Sequence, residues 1–283
     1  MFSKILVPLD GSEAAEAALP YAIECARTFG CQVEVAGVGI GIDNELSRPY
    51  LAYLEKKTAS LRDKGIATKA ILLQGSPADE LLKYIEQNDV DLVAMTTYGR
   101  SGARRWLVGG IAARMMGVVV IPALFVPPYQ QKGKLRIKKI LAPLDGEDEG
   151  KTALPYVEEL ARKMQASVTL LQVVSPLAPM ALEAMDGNMV KAMEAEALKR
   201  GREYLGGVAR ELSDKGIDVR PEVLSGDPAS VILDYAENED IDMIAMPTHG
   251  RKGFSRWLLG EVSRKVVTVS CKPVLIVREA KVQ

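Results

Sequence analysis

Apolar runs of strand length alternate along this chain with longer mixed stretches, and the whole alternation occurs twice. The first run, residues 4–11, reads KILVPLDG and recurs as KILAPLDG over residues 139–146. A short continuous apolar run ending in a turn signal predicts a buried parallel strand that enters a loop. Ser12 stands where an N-cap would, with Glu13 in the first turn of the helix that should follow. Pro20 falls inside that helix and Pro155 at the matching place in the second copy, so a bend or an end is expected there. Second strands are predicted over 32–38 and 167–174, and third strands over 68–73 and 218–224. The helical stretches between them close on Lys-Gly-Ile at Gly65 and Gly216. Next come Gly75-Ser76-Pro77-Ala78 and Gly226-Asp227-Pro228-Ala229, in which Ser76 or Asp227 is an N-cap followed by proline. Asp79 sits where the acid of a capping box would. A fourth strand, a glycine loop, a helix and a last strand (123–126 or 274–277) close each copy.

Strand–helix alternation of this kind implies a parallel sheet covered by helices on both faces. The expected class is therefore α/β, with two tandem five-stranded parallel sheets flanked by helices in a Rossmann-like arrangement. The polar, turn-rich stretch PPYQQKGKLR (127–136) reads as the connection. It implies a first domain over 1–128, a linker over 129–136 and a second domain over 137–283. Ligands of such sheets bind at the carboxyl ends of the strands, where strand order reverses, which points to Asp10 and Thr96. The two closing strands are apolar and would otherwise be sheet edges, so they are expected to pair with each other in an internal pseudo-dimer.

The strongest repeat is DLVAMTTYGRSGARRWLVGG (91–110), which recurs 151 positions on as DMIAMPTHGRKGFSRWLLGE (242–261). Eleven of the twenty positions are identical, and the pattern is strand, glycine loop, helix start. Glycine allows close approach to the main chain, and a helix N-terminus offers unpaired N–H groups to an anion. Taken alone, the glycines serve tight turns equally well. Arg100, Arg104, Arg105 and Arg114 cluster around the first loop, which favours an anion if they do not simply solvate a helix face. Met180, Met185, Met189 and Met193 lie in a 16-residue excess of the second copy. The last three share a helix face, a pattern that more often fills a core or a soft interface than binds a cofactor.

Composition narrows the classes. The 283 residues are 48% hydrophobic and 26% charged with a net charge of −1, which fits a soluble chain and argues against broad nucleic-acid binding. Three cysteines, Cys25, Cys31 and Cys271, lack zinc spacing and suggest small buried residues in a reducing cytosol. The longest apolar run (117–128) is too short for a bilayer, and residues 1–13 do not read as a signal peptide. A cytoplasmic protein without a membrane partner is expected. His249 is the single histidine and its counterpart is Tyr98, so no acid–base role is common to both halves.

The motifs PLDG, GSPA or GDPA, THGR and GxxGxxxWLLG in this order resemble the universal stress protein family in its tandem form, over nearly all of the chain. The resemblance implies a five-stranded parallel α/β domain in each half and, in its ATP-binding members, Gly-x-x-Gly, nine residues, then Gly followed by Ser or Thr. Here Gly99 and Gly109, and Gly250 and Gly260, match. The first glycine is replaced by Thr96 or Pro247, and the final hydroxyl residue by Gly110 or Glu261. The resemblance further implies Asp10 and Asp145 at the adenosine end, Val38 and Val173 packed on adenine, and Met95 and Met246 beside it. Candidate contacts also include Pro8, Leu9, Thr96, Arg100 and Ile111 in the first half, and Pro143, Leu144, Arg251 and Val262 in the second. The expected ligand is ATP or another adenine nucleotide, with or without magnesium, favoured in the first half. No catalytic residue or resident metal is assigned, and a Ser-Gly-Gly-x-Asp-Ser loop of the adenylating enzymes is replaced by Leu-Asp-Gly-Ser-Glu. The chain is expected to act through conformation or an unidentified protein partner, without efficient chemistry. The alternatives are an interaction scaffold with degenerate sites and, more weakly, a slow ATPase.

Overall fold

The computed structural model describes residues 2–39, 44–98, 109–128, 135–147, 149–176, 186–248 and 259–278. The first half runs β1 (Lys4–Pro8), α1 (Glu13–Glu16), α2 (Leu19–Phe29), β2 (Gln32–Gly39), α3 (Asn44–Arg62) and β3 (Thr68–Gln74). It continues with α4 (Pro77–Gln87), β4 (Leu92–Thr96), α5 (Gly110–Val118) and β5 (Ala123–Val126). The second half runs β6 (Lys139–Leu144), a 3-10 turn (Glu149–Ala153), α6 (Leu154–Met164), β7 (Ser167–Val174), α7 (Gly187–Ser213) and β8 (Val219–Ser225). It ends with α8 (Pro228–Asn238), β9 (Met243–Pro247), α9 (Glu261–Val269) and β10 (Val274–Val277).

Local chemistry explains several boundaries. The Ser12 hydroxyl accepts from the Ala15 N–H at 3.2 Å and starts α1. That helix stops after one turn, and Pro20 sits in the first turn of α2, where its missing N–H removes no helical bond. Pro155 opens α6 in the same way, although a 3-10 turn stands where α1 would be. Helix α2 ends on Gly30 with φ of 72°, and α6 ends on Gln165 with φ of 52°, so the second copy makes the left-handed cap without glycine. Asp227 caps α8 by accepting from the Ser230 N–H at 3.0 Å. Ser76 makes no such bond, and Asp79 does not complete a capping box; it pairs with Arg114 of α5.

Among the described residues the strands form one ten-stranded sheet in the order β3-β2-β1-β4-β5-β10-β9-β6-β7-β8. The two five-stranded parallel halves expected from the sequence are therefore continuous. β5 and β10 pair antiparallel, with Phe125 opposite Val274 and Leu124 opposite Leu275. Alternate residues feed two core layers, and each layer crosses the junction. One holds Ile5, Val7, Val126, Ile140 and Val277; the other holds Leu6, Phe125, Leu141 and Ile276. Phe2 touches Tyr156 of the second half at 6.0 Å between ring centroids. Arg278, at the end of β10, donates to the carbonyls of Met116 (2.7 Å) and Gly117 (3.0 Å) at the end of α5.

The repeated Asp91 and Asp242 have a structural role. One oxygen of Asp91 accepts from the N–H groups of Ser3 (2.8 Å) and Lys4 (2.9 Å), clipping the start of β4 to β1. Asp242 accepts from Lys138 (2.7 Å) and Lys139 (2.9 Å) in the same way. Cys25 and Cys31 are buried, and burial pushes their thiols up to about 12 and about 11. Cys271 is exposed, contrary to the sequence expectation. Met189 and Met193 do not fill the core either; they stand 57% and 44% exposed on α7, while Met180 and Met185 lie outside the described residues.

Because both core layers span the halves, the chain should unfold in one cooperative urea transition. Phe125→Ala should lower stability by about 3–5 kcal/mol in that titration; two separate transitions in the unaltered chain would contradict the shared core. Burial pushes the Asp91 carboxyl up, but its bonds from Ser3 and Lys4 outweigh this and hold it below its ordinary value. Its stabilising effect is thus full above the ordinary carboxylate pKa of about 3.9 and is lost as pH falls through the depressed value. Asp91→Asn should cost about 1–3 kcal/mol at neutral pH and less in acid, as urea melts at neutral pH and at low pH would reveal.

Candidate functional site

Strand order reverses between β1 and β4, and a cleft of roughly 760 Å³ opens at their carboxyl ends. Pro8, Leu9 and Asp10 after β1 form one wall, with Val38 of β2 beside them. Met95 and Thr96 of β4 and Gly109, Gly110 and Ile111 at the start of α5 form the other. Gly99 and Arg100, with Arg104 and Arg105, lie outside the described residues. An Asp10 oxygen accepts from the Ser12 N–H (2.9 Å) and hydroxyl (2.5 Å), so this carboxylate shapes its own loop. Tyr50 and Tyr53 of α3 also line the cleft, and sequence reasoning missed them. The Tyr50 hydroxyl donates to the Leu9 carbonyl, its ring stacks on Tyr53 at 6.1 Å, and Tyr53 donates to Glu16 at 2.9 Å. Two aromatics three apart on a helix read as core packing in a sequence, and only where α3 crosses β2 turns them into a cleft wall.

The other end of this cleft is the N-terminus of α5. Gly109 caps it without a side-chain bond, and no acidic residue occupies the first turn. The first helical bond is Ala113 N–H to the Gly109 carbonyl at 2.8 Å, which leaves the N–H groups of Gly110, Ile111 and Ala112 without intrahelical acceptors. Such a terminus attracts an anion.

The second half builds the same cleft at about 1180 Å³. Pro143, Leu144, Asp145, Val173, Met246, Gly260 and Val262 line it, while Gly250, Arg251 and His249 lie outside the described residues. Its helix end differs. Glu261 is the first residue of α9 and puts a carboxylate where α5 presents only backbone. Pro247 has no N–H, and its carbonyl accepts from the Ser263 hydroxyl at 3.0 Å. At the rim, Lys265 meets Asp227 at 2.9 Å. The Ser230 hydroxyl and then Lys265 hold the Asp227 carboxyl down to about 2. Among the described residues, no group of three His, Cys, Asp or Glu side chains is placed to hold a metal ion. No helix among them is long and apolar enough to cross a membrane.

The universal stress protein family matches the chain twice, over residues 1–127 and 136–278. The chain belongs to the universal stress protein family. Universal stress protein MJ0531 of Methanocaldococcus jannaschii is 32% identical over 152 residues, covering 53% of this chain and 88% of its own length. A universal stress protein of Thermus aquaticus, from the QAH/OAS sulfhydrylase 3' region, is 32% identical over 148 residues, covering 50% of this chain and 98% of its own. These relatives thus correspond to one half. The crystal structure of a universal stress protein from Archaeoglobus fulgidus covers 98% of both chains with a TM-score of 0.75 and 19% identity, a likeness of fold. Within this universal stress protein, the two halves share a scaffold and differ at the helix end of each cleft.

The Asp227–Lys265 contact gives a direct check. Lys265→Met should raise the Asp227 pKa from about 2 towards the ordinary carboxylate value, as read by carbon-detected NMR titration. The folded value is depressed, so the associated stability is present above about pH 4 and fades as pH falls towards about 2. The substitution should shrink that acid-limb loss; an unchanged titration would show that the Ser230 bonds alone set the pKa.

Proposed function

We propose that this chain is a cytoplasmic stress-response protein whose first cleft binds ATP or another adenine nucleotide, with or without magnesium. Its two units, 1–128 and 137–283, act through conformation or a protein partner rather than efficient turnover. The observation that carries this reading is the acid-free N-terminus of α5, which no side chain caps, in one cleft with Val38 and Met95. The helix end suits a phosphate chain and the apolar end suits a base, which is the division an adenine nucleotide requires. Gly110 supplies no hydroxyl but leaves open space, since a Cβ there would meet nothing within 4 Å.

Efficient phosphoryl transfer needs a positioned metal and a group that orients the attacking water. Asp10 of the first cleft is one candidate, and its carboxylate is engaged by Ser12 in the β1 loop. The second cleft is the weaker phosphate site in this reading. A carboxylate about 5 Å from one phosphate charge costs roughly 3 kcal/mol at an effective dielectric of about 20. Glu261 therefore supplies from within the negative charge that α5 leaves to a ligand. The exposed Met189 and Met193 favour a second reading, an interaction scaffold whose soft methionine surface meets another protein.

Acid quenching of freshly purified protein should release adenine nucleotide; its absence, with no ATP heat in calorimetry, would leave the scaffold reading standing. In EDTA, Glu261→Ser should strengthen ATP binding by the second cleft at least tenfold, about 1.4 kcal/mol. Gly110→Ser should help the first cleft less, by about 0.5–1.5 kcal/mol for one hydrogen bond. If Glu261→Ser leaves the second cleft as weak as before, then Pro247 or cleft shape is the obstacle. Turnover above about 1 s⁻¹ after stringent purification would overturn the non-catalytic reading.

A further inference from the structure

The turn that follows β1 is held from two sides. The Leu9 N–H donates to the Ala36 carbonyl of β2 at 2.8 Å, and the Leu9 carbonyl accepts from the Tyr50 hydroxyl of α3. Tyr50 reaches that carbonyl by lying over Gly37, the residue after Ala36. A Cβ on Gly37 would stand 2.7 Å from Cζ of the ring, 2.8 Å from its hydroxyl oxygen and 2.9 Å from Cε1. Only glycine therefore leaves room for the hydroxyl end. Strand β1, strand β2 and helix α3 close on one peptide unit, and its next residue is Asp10, whose carboxylate is engaged by Ser12. Leu9, Asp10 and Tyr50 all line the first cleft.

The second half does not repeat this tie. Gln172 on β7 occupies the place of Gly37, and Gly201 on α7 occupies the place of Tyr50, so no ring crosses from helix to strand there. Gln172 Nε2 donates instead to the Asp145 carbonyl at 3.5 Å, the long limit of such a bond. Helix α7 meets its loop two residues further on, where the Tyr204 hydroxyl donates to the Glu147 carbonyl at 3.2 Å. The clamp on the residue before the aspartate is thus a feature of the first half.

We infer that Tyr50 is a positioning residue of the first cleft, which holds the Leu9–Asp10 turn in the shape that receives the nucleoside part of an adenine nucleotide. The peptide is planar, so a fixed Leu9 carbonyl also fixes the Asp10 N–H and the origin of its side chain. Without the hydroxyl, a ligand must order the turn as it binds, and that cost is subtracted from its affinity. The effect belongs to the nucleoside, because the wall that attracts a phosphate chain is the separate N-terminus of α5. This inference rests on the reading of the first cleft as an adenine-nucleotide site, and its test separates the two.

Methyl NMR of the full chain, labelled at methionine, reads the first cleft through Met95, whose signal is assigned with Met95→Leu. Adenosine and ATP are titrated separately into the unaltered chain and into Tyr50→Phe, which keeps the ring and removes only the hydroxyl. Tyr50→Phe should weaken adenosine about three- to tenfold, the contribution of one hydrogen bond. It should weaken ATP by the same factor, so the ratio of the two affinities, which reports the phosphate chain, stays constant. Gly37→Ala keeps the hydroxyl but pushes the ring off its seat, and should weaken adenosine in the same direction even if Tyr50→Phe fails to fold in a thermal melt. Adenosine binding indifferent to both substitutions would overturn the inference. So would a change in the affinity ratio, which would show that the hydroxyl supports the whole cleft rather than the turn. Adenosine that leaves Met95 unmoved while ATP shifts it would sink the inference and leave the first-cleft reading intact. No shift by either ligand would remove both.

Discussion

A parallel five-stranded sheet ends in an edge strand whose N–H and C=O groups on one side lack partners, and here two such edges meet. β5 and β10 are only four residues long, buried on both faces and wholly apolar. Left open, each would be a template for pairing with another chain. Their antiparallel pairing satisfies both rows at once and merges the cores, so that Phe125 and Ile276 belong to one layer and Val126 and Val277 to the other. The strands left at the outside are the longer β3 and β8. β8 carries Arg220, Pro221 and Glu222, which blunt it against further pairing.

That junction also sets how the clefts relate. Each lies at the switch point of its own half, and the antiparallel seam turns one half over relative to the other. Arg278 reaches across the seam to the carboxyl end of α5, the helix whose opposite end forms one wall of the first cleft. A cation at that end complements the helix dipole, and its two carbonyl bonds hold the helix to the second half. Pro127 stands at the equivalent place of the first half, which therefore offers no guanidinium there.

Duplication has thus produced two clefts of one plan and opposite temper. The helix end is open in the first and answered by Glu261 in the second; away from that end Tyr50 lines the first cleft and Gly201 the second. The rim contacts diverge as well. Arg114 reaches Asp79 inside α4, while Lys265 reaches Asp227 at the cap of α8. Each change is local to one or two side chains, and the sheet beneath them is unaltered, as expected when both halves depend on the same buried strands.

By itself, the sequence determined the alternation of elements, the closing strands at Ala123–Val126 and Val274–Val277, and several short-motif residues that the fold brings to the two clefts. These features are legible because they are set by neighbours in the chain: an apolar run, a cap three residues from its N–H, a proline that cannot extend a helix. The repeated Asp91 was visible as an identity, but its bonds to Ser3 and Lys4 join residues 88 and 87 positions apart and have no local signature. The methionine stripe was visible too, yet whether Met189 and Met193 met the core or solvent depended on how far α7 runs past the sheet. Tertiary structure alone decided the partnership of Tyr50 with Gly37 and of Gly201 with Gln172, since a helix must cross a strand before a missing side chain on one can make room for a large one on the other.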